Sequence, residues 1–270
     1  MNLKKEKKML NRLVINLTLL LMFIPSQLFT QVNLSGRDIM VKVDEKPDGD
    51  DMYSTLKMTL INKRGKKRER IIASWSKDYG KDKKTVMYFR KPADVRGTGF
   101  LSHEWDDPSQ DDDRWLYLPA LKKVRRISGS SKNDYFMGSD FTYDDMGDRS
   151  VDEDKHLLLK EETIDGFTCW VIESQPVDEN YMYSKVIRWI RQDALISVKT
   201  EFYDRRGELL KSLTVSDIRK HQGYWTIFKM HMDNIQENHQ TILEFDEVNY
   251  DTGIKDNLFK VSTLERGRIK

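Results

Sequence analysis

The 270-residue chain carries 46 Lys and Arg against 44 Asp and Glu, and it has one cysteine. Residues 1–30 hold five of the cations and one of the acids, so residues 31–270 keep 41 cations against 43 acids. This balance excludes the basic composition typical of nucleic-acid-binding proteins, and a lone cysteine excludes an intramolecular disulfide or a cysteine-based metal site.

The N-terminus has the pattern of an export signal. Four lysines and Arg12 precede about thirteen mostly apolar residues, LVINLTLLLMFIP. This run fits a secretory signal and is shorter than the roughly 20 residues that span a bilayer. We predict a signal peptide over residues 1–30, cleaved near Thr30, followed by a single domain over residues 31–270 in the periplasm. An uncleaved membrane anchor is the alternative. Because no cysteine follows the apolar run, lipid attachment to a new N-terminal cysteine is excluded.

The rest of the chain predicts one helix and many strands. The segment from Leu34 to Glu45 predicts a short amphipathic helix with Ser35 as its N-cap. The segments STLKMTLIN and RERIIASWS, separated by a turn at Gly65, predict a hairpin. Eleven further extended segments follow almost to the C-terminus: KTVMYFRKP, GTGFLSHEW, DRWLYLP, KKVRRIS, HLLLKEETI, FTCWVIESQ, YSKVIRWIR, LISVKTEFYD, ELLKSLTVSDI, YWTIFKMHMDN and QTILEFDEV. Strands at this spacing favour one antiparallel sheet that is large enough to curl.

Several strand faces are rich in Met, Phe and Leu, whose side chains suit a surface for apolar ligands. The same alternation would serve a core under a covering helix, so both interpretations stay open. One short helix can cover only part of such a sheet, which favours an accessible cavity. The candidate lipid-binding residues are Leu56, Met58, Leu60, Met87, Phe89, Leu116, Leu118, Phe202, Phe228, Met230, Met232, Leu243 and Phe245.

Motifs for catalysis or metal binding are weak. The chain has no GxSxG, no HExxH and no glycine-rich phosphate loop, and its five histidines stand singly. The acidic run from Asp106 to Asp113 lacks the spacing of a calcium loop. Ser139 could act as a nucleophile only if a histidine and an aspartate converged on it in the folded chain. We therefore predict no enzymatic activity, no cofactor and no metal site.

Five segments resemble, in order and spacing, the outer-membrane lipoprotein-sorting protein group, the LolA-like periplasmic carriers: FRKPADVRGTGFLSHEW, DRWLYLPALKKVRRIS, FMGSDFTYDDM, YSKVIRWIRQD and EFYDRRGELLKSL. The resemblance runs from about residue 34 to the C-terminus and is specific to the subgroup with the YLPALKKVRRIS and FMGSDFTYDD block. It implies a mostly β fold, an incomplete, strongly curved antiparallel barrel of about eleven strands with a helical or loop lid over an apolar cavity. It also implies lipid or lipoprotein acyl chains as cargo. For this subgroup it further implies association with an inner-membrane exporter of the resistance-nodulation-division (RND, MMPL-type) class.

The block that carries the resemblance joins a basic strand to an aromatic loop. We predict that eight of its residues form a lid or a surface that docks on a partner or a membrane: Lys122, Lys123, Arg125, Arg126, Phe136, Met137, Phe141 and Tyr143. A compatible alternative is that the two arginines form ion pairs with Asp140, Asp144 and Asp145 and fix the loop in place.

A second function stays open on the sequence. A module of the same fold could regulate the response to envelope stress by binding a partner peptide or a mislocalised lipid. Such a module normally carries a second domain for its partner, and the sequence gives no sign of one.

Overall fold

The computed structural model describes residues 34–266, so the predicted signal peptide lies outside the described residues. The predicted helix is present as α1 (Gly36–Asp44). Ser35 caps it, since its hydroxyl accepts from the Asp38 amide while the Asp38 carboxylate accepts from the Ser35 amide. Within residues 34–266, no helix has the length and hydropathy needed to cross a membrane.

Within residues 34–266, thirteen strands form one antiparallel sheet, and each of the thirteen extended sequence segments becomes one of them. The sheet therefore has two strands more than the eleven that the resemblance implied. The strands are β1 (Asp51–Ile61), β2 (Lys67–Tyr79), β3 (Asp82–Lys91), β4 (Gly99–Glu104), β5 (Asp113–Leu118), β6 (Lys123–Ile127), β7 (Asp154–Ile164), β8 (Phe167–Pro176), β9 (Lys185–Arg191), β10 (Ile196–Tyr203), β11 (Leu209–His221), β12 (Tyr224–Asn234) and β13 (His239–Tyr250).

The strand order explains where the long polar segment must run. The sheet is ordered β6-β5-β4-β3-β2-β1-β13-β12-β11-β10-β9-β8-β7, so β6 and β7 are consecutive in the chain but lie at opposite edges. The segment of residues 129–153 connects these edges, and we call it the plug. It contains three short 3₁₀ turns, Gly129–Ser131, Phe136–Gly138 and Val151–Glu153.

The two faces of the sheet carry separate apolar clusters. The larger one lies on the face that bears Leu56, Met58 and Leu60, which we call the inner face. On the opposite face, Val86 and Leu101 pack against a C-terminal segment that the sequence did not predict. This segment comprises a 3₁₀ turn (Asp256–Phe259) and a short helix, α2 (Val261–Glu265).

Candidate functional site

The plug lies against the inner face of the sheet and fills part of it with aromatic rings. Phe136 is fully buried, with its ring centroid 5.2 Å from that of Phe100 and 5.6 Å from that of Tyr143. Phe141 is buried in the same cluster. The aromatic residues of the predicted lid therefore pack inward, and in this conformation their rings do not form a surface for a partner.

A tight turn in the plug sets the direction of these rings. Met137 and Gly138 have φ of 50° and 75°, the left-handed region in which glycine is favoured. The chain reverses there, so that the Phe136 amide donates to the Phe141 carbonyl at 2.7 Å. Arg70 of β2 donates to the carbonyl of Met137 and holds the turn against the sheet.

One buried anchor of the plug is Asp140. Its Oδ2 accepts from the Thr241 hydroxyl at 2.6 Å and lies 2.7 Å from Nδ1 of His239. The Asp140 amide in turn donates to the Thr241 Oγ1 at 3.0 Å. These contacts tie the middle of the plug to β13, 101 residues later in the chain.

A second anchor is an ion pair between Asp145 and Lys211. The Lys211 side chain is fully buried and its Nζ lies 2.6 Å from Asp145 Oδ2. It also donates to the Asp140 carbonyl at 3.0 Å, while Tyr183 donates to Asp145 Oδ1 at 2.9 Å. Burial, together with the Asp145 charge, raises the pKa of Tyr183 well above its ordinary value, so this hydroxyl stays a donor.

The neighbouring Asp144 is held by two other side chains. Tyr181 donates to its Oδ2 at 2.6 Å, and the buried guanidinium of Arg114 donates to Oδ1 at 3.2 Å. The alternative that Arg125 and Arg126 pair with the plug acids is therefore wrong. Arg126 pairs with Asp113 instead, and Arg125 is exposed without an ion pair to any residue of 34–266. The reason is that both arginines lie on edge strand β6, whereas the plug turns inward towards β11 and β13.

Open space remains on the inner face beside the plug. A cavity of about 460 Å³ lies between α1, the plug and strands β9 to β12. Its apolar lining consists of Met40, Val43, Phe141, Val151, Tyr181, Tyr183, Val186, Phe202, Leu213 and Met232. Ten charged residues line the same space, among them Asp144, Arg149 and Arg188. A neighbouring space of about 210 Å³ is lined by Met52, Ile196, Trp225, Ile227, Met230, Phe245 and Val248. Both share Lys46, Asp48 and Lys83 in their walls. The larger volume lies within the range that is typical of sites for small ligands, and the smaller one lies below that range.

The structure divides the predicted lipid-binding residues into three groups. Four of them line the two spaces: Phe202, Met230, Met232 and Phe245. Eight pack in the inner-face cluster without lining either space: Leu56, Met58, Leu60, Met87, Phe89, Leu116, Leu118 and Leu243. Phe228 is buried outside this cluster, beneath the Arg219 guanidinium at 3.8 Å and beside His221. Lipid binding by all thirteen stays a prediction.

Sequence reasoning missed much of the cavity wall. Tyr181 and Tyr183 lie in the β8–β9 loop, where alternation gives no signal, and both are buried against the plug. Met40 and Val43 belong to α1, whose apolar stripe indicated burial but not the element it would meet. Lys122 and Lys123, predicted for the lid, are exposed at the β5–β6 turn.

The mouth of the cavity is acidic. A space of about 570 Å³ at the strand ends is lined by Asp44, Glu45, Asp48, Asp50, Asp78, Glu104, Asp106 and Asp148, with four cations among them. Nζ of Lys83 lies 3.2 Å from Asp148 at the end of the plug and 3.5 Å from Asp48 in the α1–β1 loop. Burial raises the pKa of Asp78 to about 6 and that of Glu104 to about 7. No group of three or more His, Cys, Asp or Glu within residues 34–266 is arranged to hold a metal ion.

A histidine and an aspartate do lie near Ser139, the arrangement that catalysis at this serine would require. His239 contacts Asp140, yet the Ser139 hydroxyl bonds to the backbone of Phe141 at 3.3 Å. No hydrogen bond joins Ser139 to His239 among the contacts of residues 34–266.

Comparison with known proteins identifies relatives over most of the chain. A family model described as an uncharacterized protein matches residues 81–266. The structure of a DUF1329 family protein from Desulfovibrio piger is 37% identical, with a TM-score of 0.82, and the match covers 85% of this chain and 97% of that chain. A putative outer membrane lipoprotein-sorting protein domain from Vibrio parahaemolyticus is 34% identical, with a TM-score of 0.81 and coverage of 86% and 98%.

A more distant structure shares the fold. A LolA superfamily protein from Nitrosomonas europaea is 19% identical, with a TM-score of 0.67, and the match covers 85% of this chain and 99% of that chain. No curated protein matches the sequence. The predicted curved antiparallel sheet is thus confirmed by a structure whose sequence has diverged widely.

Proposed function

This chain belongs to the LolA-like group of outer-membrane lipoprotein-sorting proteins, and we infer from that premise that it is a periplasmic carrier of lipid or lipoprotein acyl chains. The observation that carries the inference is the cavity between α1, the plug and strands β9 to β12, whose wall combines ten apolar or aromatic side chains with ten charged ones. The proposed role is binding and transfer without catalysis.

A carrier of acyl chains has to meet two physical demands. Acyl chains exposed to water cost about 0.8 kcal/mol per CH₂, so the carrier must supply an apolar wall comparable to a membrane interior. It must also release its cargo, which favours flexible walls over a rigid pocket. The methionines Met40, Met230 and Met232 supply this flexibility, because an unbranched thioether side chain adapts to irregular ligands.

Entry of an acyl chain into the cavity requires that the cover of its mouth can move. Lys83 joins the α1–β1 loop to the end of the plug through Asp48 and Asp148, and these contacts lie at the mouth. Opening the mouth would break these two ion pairs, whose carboxylates are exposed to water while the Lys83 side chain is about three-quarters buried. Directional transfer then needs a partner that shifts the cover towards its open state, and we propose an inner-membrane RND-type exporter for this role.

Native mass spectrometry of the protein purified from its own envelope tests the carrier function. We expect a bound lipid at a stoichiometric ratio, which organic extraction would then assign to a chemical class. A protein that carries no lipid and binds no fluorescent fatty-acyl probe would contradict the proposal and would favour a module that binds a partner peptide.

A cavity-filling variant tests the location of the cargo. Leu213→Trp places a larger side chain in the cavity wall, so we expect at least a roughly tenfold weaker affinity for an acyl probe. Leu157→Trp is the matched control, because Leu157 is exposed on β7 and lines neither apolar space. Both variants should melt near the wild-type temperature, and equal probe binding by the two would place the cargo elsewhere.

A further inference from the structure

Three turns lie side by side at one end of the sheet, opposite the cavity mouth. They are the β1–β2 turn (62–66), the β3–β4 loop (92–98) and the β5–β6 turn (119–122). A Cβ atom at Gly97 would lie 3.3 Å from Pro119, so the second and third turns touch. The charge of Asp94 acts on the pKa of Arg70, so the second turn also lies close to the base of the first. The three turns therefore form one continuous surface.

This surface is densely basic. Nine cations lie in or beside the three turns, and we call them the basic end: Lys63, Arg64, Lys66, Lys67, Arg68, Lys91, Arg96, Lys122 and Lys123. All nine are exposed, and the same stretches contain the two acids Glu69 and Asp94. Asp140 and Glu237 line a space of about 480 Å³ together with Lys63 and Arg64. Within residues 34–266, no side chain of the basic end forms an ion pair or a hydrogen bond.

The basic end is separated from the acids of the mouth along the strand direction. The opposite end carries the mouth with its eight carboxylates, although residues 31–270 are nearly balanced in total charge. Unpaired like charges at close spacing repel one another, so they weaken the folded state unless an anionic partner compensates them. The distribution therefore points to a partner with a high density of negative charge.

We propose that the basic end binds an anionic membrane surface and so orients the protein with its cavity mouth directed away from that bilayer. The shape of the surface favours a bilayer over an acidic protein. Lys63 and Arg64 border a concave space beside the plug, while the other seven cations stand on the turns and strand ends. Six of the nine are lysines, whose long stems reach a headgroup layer without a fixed geometry. Leu121, 63% exposed beside Lys122, adds an apolar contact at the same end.

This orientation goes beyond the carrier function and does not depend on it. A bound protein would present its acidic mouth to the aqueous side, since an anionic bilayer repels carboxylates. Cargo would then pass between the cavity and a second protein or membrane facing that mouth, and not directly from the bilayer to which the basic end is bound.

Vesicle sedimentation with the exported full-length protein tests the inference. The vesicles contain phosphatidylcholine alone or phosphatidylcholine mixed with phosphatidylglycerol. Each cation near an anionic bilayer raises partitioning roughly fivefold. We therefore expect the wild type to bind only the mixed vesicles, and added salt to release it. The triple variant Lys66→Glu, Lys67→Glu, Lys122→Glu should lose at least roughly tenfold in its partition coefficient.

A charge-matched control separates the basic end from net charge. The variant Lys81→Glu, Lys220→Glu, Lys255→Glu makes the same change in total charge at the opposite end, and it should bind within about twofold of the wild type. Equal losses in both triple variants, or equal wild-type binding to both kinds of vesicle, would overturn the proposal. An acidic protein surface would then be the remaining partner for these cations.

Discussion

Lys211 is a fully buried cation that crosses from β11 to the plug. A buried charge is tolerated when its partners replace the water it has lost, and here Asp145 and the Asp140 carbonyl do so. The rings of Phe202 and Tyr183 lie 5.1 and 5.2 Å from its Nζ and add cation–π contacts. Lys211 thus determines where the plug can sit on the sheet.

We expect Lys211→Met to lower the free energy of unfolding by about 3–5 kcal/mol, because it leaves the buried Asp145 carboxylate without its counter-charge. Urea denaturation measures the change. The control is Lys57→Met, which removes the partly exposed pair with Glu244 at 2.8 Å and should cost less than about 1 kcal/mol. Similar losses in both variants would show that the plug does not depend on this ion pair.

The Glu104 carboxyl makes the free energy of unfolding depend on pH. Burial raises its pKa to about 7 from an ordinary value of 4.5, and the Asp148 charge acts in the same direction. Between pH 4.5 and 7, the folded protein retains a proton that the unfolded chain has already released. The free energy of unfolding therefore falls as the pH rises through this window.

Glu104→Gln should reduce that pH dependence. An amide cannot ionise, and it can still bond to the Ser102 hydroxyl and the Asp148 amide, the two partners of the carboxyl. From pH 5 to pH 8 we expect the variant to lose on the order of 2 kcal/mol less stability than the wild type, measured by urea denaturation. The exposed Glu161→Gln variant is the control and should keep the wild-type slope. A wild-type slope in the Glu104→Gln variant would contradict the assignment of this pH dependence to Glu104.

At the scale of elements, α1 is held against β7 by a close backbone contact. A Cβ atom at Gly36 would lie 2.8 Å from the carbonyl of His156 and from the amide of Leu157. Only glycine therefore permits α1 to approach this closely. The contact also positions Met40 and Val43 over the cavity, so the helix acts as part of the cavity wall.

Gly36→Ala tests this contact. Alanine in a helix normally increases stability relative to glycine, by up to about 1 kcal/mol. Here we expect a loss of roughly 1–3 kcal/mol, because the methyl group would push α1 away from β7. The matched control is Gly129→Ala, where the nearest atom would lie 3.7 Å away, and its change should stay within about 0.5 kcal/mol. Thermal unfolding of both variants measures these changes. If Gly36→Ala leaves the free energy of unfolding unchanged, α1 is not held tightly against β7.

At the scale of the whole molecule, the order of the strands determines where the plug and the cavity lie. Because β1 pairs with β13, the two edges of the sheet are β6 and β7, and the chain between them has to cross the inner face. That crossing fills one part of the face with the plug and leaves the cavity beside it. The same order brings the turns of the basic end together and the acids of the mouth to the other end.

Local chemistry was sufficient to predict α1 and the thirteen strands. Alternating apolar residues, as in STLKMTLIN, predict strands because successive side chains point to opposite faces. Ser35 and Asp38 predict the start of α1 because capping involves residues only three positions apart. The turns before β11 and β12 follow from Gly207 and Gly223, both at positive φ.

The sequence by itself therefore determined α1, the strands and the class of fold, while only the tertiary structure decided which apolar residues form core and which line a cavity. Met58 and Met232 have equivalent patterns, yet the first packs in the core without lining the cavity and the second lines it. Likewise, Asp145 pairs with Lys211, 66 residues away, and not with the arginines nearer in sequence. The physical reason is that such contacts depend on how distant segments meet in space, and residue patterns encode only the neighbours along one strand or helix.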